Sequence, residues 1–342
     1  MDVLLDNIIL PKSLFDSLVS ADKSVLVLDI GATQTRLALF SPDLQYCPIG
    51  LYKTSEVISV EDVIAGYLHN LGIQETAVDT IALGVAGKID YLAGYVKMTK
   101  SNIEVSRSAI QKRFKATTCL MNDAEIAANA APILEPGVST KIIHGSALEG
   151  DFGNYTTILA ACGTGPGLGV WLPGPPDRPH ISRAFSTEFG AISLGLQLPD
   201  DIVIKIASQK NVPAETLEHA SVLSGRGLIQ LYNACGGQTL SSPKEVMDTS
   251  YQPGPSKLAV ELYFNALAVF LRDSTLAFNG ERILLAGSIL LENTPIVESH
   301  KDVLRAGVEG TPAHFWKRGD VPIELVESPY PGILGGLQYV GL

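Results

Sequence analysis

One short pattern occurs twice in this chain, and it constrains the fold more than any other feature. Ser24 to Ile30 is a β-branched and leucine run that ends in Asp29-Ile30, passes through the small-residue turn Gly31-Ala32-Thr33-Gln34-Thr35, and returns as Arg36-Leu37-Ala38-Leu39-Phe40. Thr156 to Ala161 runs in the same way into Cys162-Gly163-Thr164-Gly165-Pro166-Gly167-Leu168-Gly169 and comes back as Val170-Trp171-Leu172. Apolar runs of this length, bounded by Gly and Thr, read as buried strands joined in a hairpin. Turns made of Gly, Ala and Thr leave backbone N–H groups accessible to an anion. Two such units predict two related α/β lobes facing each other across a cleft, each lending one phosphate-gripping hairpin.

The rest of the chain supports an α/β reading. A third strand is expected over Leu44 to Tyr52. A helix follows, opened by Ser59 with Asp62 three residues on, its Val63, Ile64, Tyr67, Leu68 and Leu71 at helical spacing. Buried strands are expected at Thr80 to Ala86 and Thr118 to Met121, the second delivering Asn122-Asp123 to its carboxyl end, where open α/β sheets place their ligand-facing groups. A helix, Ala124 to Ala131, starts there. Arg282 to Ser288 reads as another strand ending in small residues, with Gly287 and Ser288 candidates for a nucleotide pocket. Leu172 to Phe185, with Pro173, Pro175, Pro176 and Pro179, reads as an irregular connector.

Composition excludes several classes of function. Lys+Arg 25 against Asp+Glu 36 gives a formal net charge of -11, so no diffuse positive field exists to hold nucleic acid or anionic lipid. A nucleotide remains compatible, because local amides and a divalent cation hold phosphates inside an acidic protein. Leu258 to Phe278 is the most apolar long stretch but contains Glu261, Arg272 and Asp273, which reads as a core helix and not a membrane span. Cys47, Cys119, Cys162 and Cys235 are scattered, which suggests neither a zinc site nor a disulfide framework and points to a reducing cytoplasm. The N-terminus, Met1 to Ser20, lacks the basic start and unbroken apolar core of a signal peptide and reads as a short docking helix.

Each motif carries a functional reading beside a plain one. A carboxylate at Asp29 would repel phosphate bound at the following turn unless a metal intervened, so Asp29 is assigned to Mg²⁺ through coordinated water; the plain alternative is an Asp capping its turn. The alternating glycines from Gly163 to Gly169 exceed what a turn requires and read as a phosphate cradle. Neither a dinucleotide fingerprint nor a P-loop occurs. Asn122-Asp123 in isolation reads first as a helix N-cap, and gains force from its place between the two hairpins. Glu188, in Ser186-Thr187-Glu188-Phe189-Gly190, could reach sugar hydroxyls or stand as a solvated surface carboxylate. Ser224-Gly225-Arg226-Gly227 serves equally as a helix cap or a ligand contact.

These residues, taken together and in order, resemble the bacterial-type glucokinases, within the superfamily that joins sugar kinases, heat-shock chaperone ATPases and actin. Val27 to Leu39 resembles the family's first phosphate motif, Leu120-Met121-Asn122-Asp123 the segment of its catalytic aspartate, and Gly163 to Gly169 its second phosphate motif. Leu223 to Tyr232, Leu285 to Ile289 and the Pro331-Gly332-Ile333-Leu334-Gly335-Gly336 stretch resemble its segments leading to the nucleotide pocket and its C-terminus. The resemblance implies two ribonuclease-H-like lobes with an active-site cleft between them. It implies ATP and Mg²⁺ as cofactors, phosphoryl transfer to a hexose 6-hydroxyl with glucose as first guess, a role in carbohydrate metabolism such as glycolysis, and a homodimer as an ordinary assembly. By motif, Asp123 becomes the general base, Asn122 and Glu188 sugar-hydroxyl partners, and Asp29, Gly31, Ala32, Thr33, Gln34, Gly163, Thr164, Gly165, Gly287 and Ser288 the nucleotide side. Expected boundaries are an extension over residues 1–21, a small lobe of 22–132 plus 325–342, and a large lobe of 133–324.

The chain also departs from that pattern. The family's Glu-Gly-Gly-His sugar motif stands here as Glu188-Phe189-Gly190-Ala191, and a second sugar-binding glutamate falls on Ala220, with Glu218 nearby. Thr164 and Pro166 are in reversed order. A related kinase and repressor family with a cysteine-rich zinc motif does not fit the scattered cysteines. The alternatives are therefore a kinase for a C1- or C2-modified sugar or a cyclitol, or a catalytically weak sugar sensor.

Overall fold

The computed structural model describes residues 6–8, 10, 12–42, 47–98, 101–194, 198–309 and 321–341. The chain forms two compact units, one of Met1–Ile133 with Arg183–Ser186 and Tyr330–Leu342, the other of Leu134–Ser182 and Thr187–Pro329.

The first unit is a mixed sheet clothed on both faces. Its strands are β1 (Asp6–Ile8), β2 (Val25–Ile30), β3 (Gln34–Phe40), β4 (Cys47–Lys53), β5 (Thr80–Val85) and β6 (Thr117–Asn122), in the order β1-β4-β3-β2-β5-β6. The sequence expectation for β4 began at Leu44; residues 44–46 lie outside the described set. β2 and β3 form an antiparallel hairpin, and β2, β5 and β6 run parallel. Alternation sorts the side chains: Leu26, Leu28, Ile30, Leu37 and Leu39 point to one core, while Val25, Val27, Ala38 and Phe40 point to the other. Helix Val60–Asn70 covers the first face through Ile64, Tyr67 and Leu68, and Ser59 caps it by accepting the Asp62 N–H at 3.1 Å. The second face is covered by Lys12–Ala21, through Leu14 and Leu18, and by the terminal helix Pro331–Gly341, through Ile333 and Leu337.

That terminal helix explains its own glycines. A side chain at Gly335 would come within 1.8 Å of the Ile126 carbonyl, and one at Gly336 within 2.3 Å of Val27. The helix therefore lies flat on the short helix Asp123–Ala128 and on β2, the two elements that carry Asp123 and Asp29. A small antiparallel sheet, Ile89–Asp90, Tyr95–Lys97 and Glu104–Ser106, follows β5.

The second unit repeats the central plan. β7 (Thr140–His144), β8 (Thr157–Cys162), β9 (Pro166–Leu172), β10 (Arg282–Ala286) and β11 (Ile323–Val326) lie in the order β7-β11-β10-β8-β9. β8 and β9 make the antiparallel hairpin, and β8, β10 and β11 run parallel, as in the first unit. The helix Pro255–Phe278 buries Phe264, Phe270 and Leu271 completely. No described helix is long and apolar enough to cross a membrane.

Candidate active site

Within the first unit, strand register sets the geometry. Ile30 pairs with Val85, and Val85 pairs with Asn122, so the turn after β2 and the Asn122-Asp123 step leave the same sheet edge. One strand separates them, a span of about 10 Å across two inter-strand spacings. The first turn closes through the Gly31 N–H donating to the Gln34 carbonyl at 3.0 Å. Thr54 braces it from β4's end: its hydroxyl donates to the Gly31 carbonyl at 2.8 Å, and its N–H donates to the Thr33 carbonyl at 3.0 Å. Thr33 and Gln34 stay exposed at the tip, and Gly31 and Ala32 are half-buried.

Asp29 is largely buried and directly opposite Arg36 across the hairpin. Their ion pair is 3.1 Å, and Arg36 also donates to the Gln34 side chain at 2.8 Å. Burial raises the Asp29 carboxyl above its usual range despite the opposing pull of Arg36. Gly332 lets the terminal helix rest on that carboxyl, since a Cβ there would lie 2.8 Å from the Asp29 Cγ.

Asn122 is the N-cap of Asp123–Ala128. Its Oδ1 accepts the Ala124 N–H at 2.9 Å, and its Nδ2 donates to the Gly87 carbonyl at 3.1 Å. Glu125 completes a capping box by accepting the Asn122 N–H, and it takes a short hydrogen bond from the Tyr91 hydroxyl. Burial raises the Glu125 carboxyl, while those two donors oppose the shift. Asp123 accepts the Ala124 N–H at 3.1 Å and starts the helix. The helix ends at Ala128, before the Ala131 expected from sequence, and a single 3-10 turn, Ala131–Ile133, carries the chain past Pro132.

Within the second unit, three separate motifs converge. Gly287 ends β10 with φ +101°, and a Cβ there would strike the Cys162 carbonyl at 2.2 Å, so only glycine fits beside the second turn. The Gly225 N–H donates to the Gly163 carbonyl at 3.0 Å, which ties the helix Gly225–Ala234 to the same turn. Ser224 caps that helix by accepting the Gly227 N–H at 2.9 Å. Thr164 is exposed at the tip, and Ser288 starts a short helix just past Gly287. Gly163 and Gly165 behave differently from Gly287: neither has a positive φ, and a Cβ at either would meet nothing within 4 Å. The fold does not need glycine at those two positions, and the Gly163 N–H closes the turn by donating to the Gly165 carbonyl at 3.3 Å.

Glu188 follows the strand Arg183–Thr187 and is exposed. Gly190 presses on the second turn, with a Cβ there 2.7 Å from the Pro166 carbonyl. Ala191 is exposed and Ala220 half-buried. Glu218 is exposed and holds the turn His219–Ser221 through its backbone, its N–H donating to the Ser221 hydroxyl at 3.3 Å and its carbonyl accepting the Ser221 N–H at 2.8 Å.

A glucokinase family model matches residues 26–341. The chain belongs to the glucokinase family. As such it is an ATP-dependent sugar phosphotransferase of the hexokinase type. It is 26% identical to a glucokinase of Colwellia psychrerythraea over 341 residues, covering 92% of this chain and 95% of that one. The fold is shared with the glucokinase of Balamuthia mandrillaris solved in complex with glucose, at TM-score 0.74 and 18% identity over 97% of this chain and 100% of that one. It is shared more loosely with a ROK-family glucokinase of Streptomyces griseus solved with glucose and AMPPNP, at TM-score 0.55 and 15% identity over 92% and 98%.

The residues that brace these turns differ in how far the sequence could reveal them. Arg36 was legible as the cross-strand partner of Asp29 by counting outward from the turn. Glu125 stands three residues after Asn122, the spacing of a capping box. Thr54, Gly87 and Tyr91 reach their partners from 23, 35 and 34 residues away and carry no local signal.

Proposed function

We propose that this protein transfers the γ-phosphoryl group of ATP to the 6-hydroxyl of a hexose, with glucose as its substrate and Asp123 as the general base. The observation that carries this reading is the shared sheet edge of the first phosphate turn and Asp123, one strand apart. Phosphoryl transfer has a loose transition state and asks mainly for positioning and charge neutralisation. A carboxylate at a helix start, beside a phosphate turn, is suited to orient and deprotonate an acceptor hydroxyl.

Gly31, Ala32, Thr33, Gln34, Gly163, Thr164, Gly165, Gly287 and Ser288 make the nucleotide side, and Asn122, Asp123 and Glu188 the sugar side. Since both ends of the Asn122 side chain already hold the turn, its contribution to the sugar is what remains of its donor capacity. Among the described residues no group of three or more His, Cys, Asp or Glu side chains could hold a metal. A single carboxylate at Asp29 fits an ion that arrives with ATP and keeps phosphate and water ligands, as magnesium does. Such an ion would neutralise charge on the phosphates, and Asp29 would hold it through water.

A second reading concerns the sugar. Ala191 and Ala220 leave room where the family places polar side chains. A C1- or C2-modified hexose would lose less here than glucose. A coupled ADP-release assay across glucose, 2-substituted hexoses and cyclitols decides between the two by the order of kcat/KM. Asp123→Ala should lower kcat by roughly 10²–10⁴-fold with ATP affinity kept. Near-wild-type turnover in that variant removes the mechanism.

A further inference from the structure

Glu188 stands on a loop whose own regular structure is one turn, Phe189–Ala191. A substrate contact on such a loop needs outside support to hold its geometry. Phe189 packs on Phe270 and Phe278, with ring centroids 5.5 and 6.0 Å away, and the backbone of the loop is held by one neighbouring segment. The His219 N–H donates to the Ile192 carbonyl at 3.1 Å, the Leu194 N–H donates to the Leu217 carbonyl at 2.8 Å, and Ser193 bridges to Glu218.

The same segment continues to the second phosphate turn. The Ser224 hydroxyl donates to the Ala220 carbonyl at 3.3 Å, and the Gly225 N–H donates to the Gly163 carbonyl at 3.0 Å. Leu217 to Gly225 is thus hydrogen-bonded to the Glu188 loop at one end and to the nucleotide-side turn at the other. Gly190 closes the circuit directly against Pro166.

His219 sits at the centre of this segment, 1% exposed. Its ring lies parallel to Phe189 with centroids 6.4 Å apart and edge-on to Phe270 at 5.2 Å, while Phe189 meets Phe270 at 5.5 Å. Nδ1 of that ring has no hydrogen-bond partner among the described residues. With Nδ1 unbonded, what the ring contributes is its shape against Phe189 and Phe270, which a phenylalanine would reproduce.

We propose that Leu217–Gly225 is a strap that couples the sugar-side loop to the second phosphate turn, with His219 as the positioning residue that seats Phe189 and so sets Glu188. The strap makes occupancy at one side rigidify the other, so sugar and nucleotide bind with positive coupling. The proposal rests on the reading of Glu188 as a sugar contact and of Gly163–Gly165 as a phosphate contact.

Calorimetric titration of a magnesium-loaded, non-hydrolysable ATP analogue, with and without saturating glucose, measures the coupling. In the wild type, glucose should tighten the analogue by about fivefold or more, in the usual range for linked sites. His219→Ala should bring that factor to near one and raise the KM for glucose by about tenfold, with kcat changed less. His219→Phe keeps a ring against Phe189 and should restore both. Full coupling in a folded His219→Ala protein, or no coupling in the wild type, overturns the strap. Hydrogen exchange on the wild type gives a measurement free of any folding defect: the analogue alone should slow the amides of Phe189–Leu194, and unchanged exchange there also overturns it. Glu188→Ala separates the two claims. It should abolish glucose binding while leaving the analogue's own affinity unchanged, and wild-type glucose affinity in that variant would strike the Glu188 assignment, with the strap still judged by the exchange measurement.

Discussion

The two sheets share a plan and differ in where they keep their charge. In the first unit the ion pair Asp29–Arg36 stands at the mouth of the hairpin, partly open to solvent, beside the first turn. In the second unit the hairpin mouth holds only backbone and small side chains, and the ion pair Arg282–Glu324 is fully buried toward the opposite end of the sheet. There Arg282 makes a two-point contact with Glu324 at 2.8 and 2.7 Å, donates to the Leu134 carbonyl and lies over the Phe152 ring at 5.1 Å, and Thr140 donates to Glu324. The first pair keeps part of its charge in reach of solvent. The second has all its partners inside the protein and serves to hold parallel strands β10 and β11 together.

The largest effect expected from this difference is on folding. Glu324→Gln leaves the Arg282 charge buried and half-paired, and should cost about 3–5 kcal/mol of stability, read by urea denaturation, with kcat of the folded protein unchanged. A loss below 1 kcal/mol would mean the pair is solvated in solution.

The open hairpin of the second unit invites the opposite result. Gly165→Ala meets no steric obstacle in the fold and should leave stability equal or higher by about 0.4–1 kcal/mol, because alanine narrows the unfolded ensemble. Its methyl group should nevertheless raise the KM for ATP by about tenfold, a loss of about 1.4 kcal/mol. An unchanged KM would show that nothing approaches that backbone.

At the charged hairpin, Asp29→Asn should raise the magnesium concentration needed for half-maximal rate several-fold while costing little stability. Burial already disfavours the ionised carboxyl, and the raised carboxyl means that ionisation above its unfolded pKa works against folding. A flat magnesium response would reduce Asp29 to a turn residue that holds Arg36.

The smallest effect is a pH slope. Burial holds the His219 imidazole below its ordinary value of 6.5, with Asp273 pulling weakly the other way. Below pH 6.5 the unfolded chain takes up a proton that folded His219 refuses, so stability falls with pH, by up to about 1.4 kcal/mol per unit, until the folded ring titrates as well. His219→Phe should remove that share of the slope in thermal unfolding measured from pH 7.5 to 5, and an identical slope in both proteins would place the titration elsewhere.

What the sequence determined by itself is what depends on neighbours in the chain. Unbroken apolar runs bounded by Gly and Thr marked both hairpins and the parallel strands beside them, since a strand buried on two faces reads as a continuous apolar segment. The Asn122-Asp123 step, the glycine turns and the caps at Ser59 and Ser224 were legible for the same reason. The close approaches were not. That Gly332 rests on Asp29, that Gly190 rests on Pro166, and that Thr54 ties down a turn more than twenty residues away follow from how distant elements meet. The buried Arg282–Glu324 pair belongs to this second kind, because 42 residues separate its members and either charge alone reads as a surface residue. Tertiary structure decided these contacts, because burying a charge or bringing two backbones together is favourable only when the partner has already been delivered by the fold.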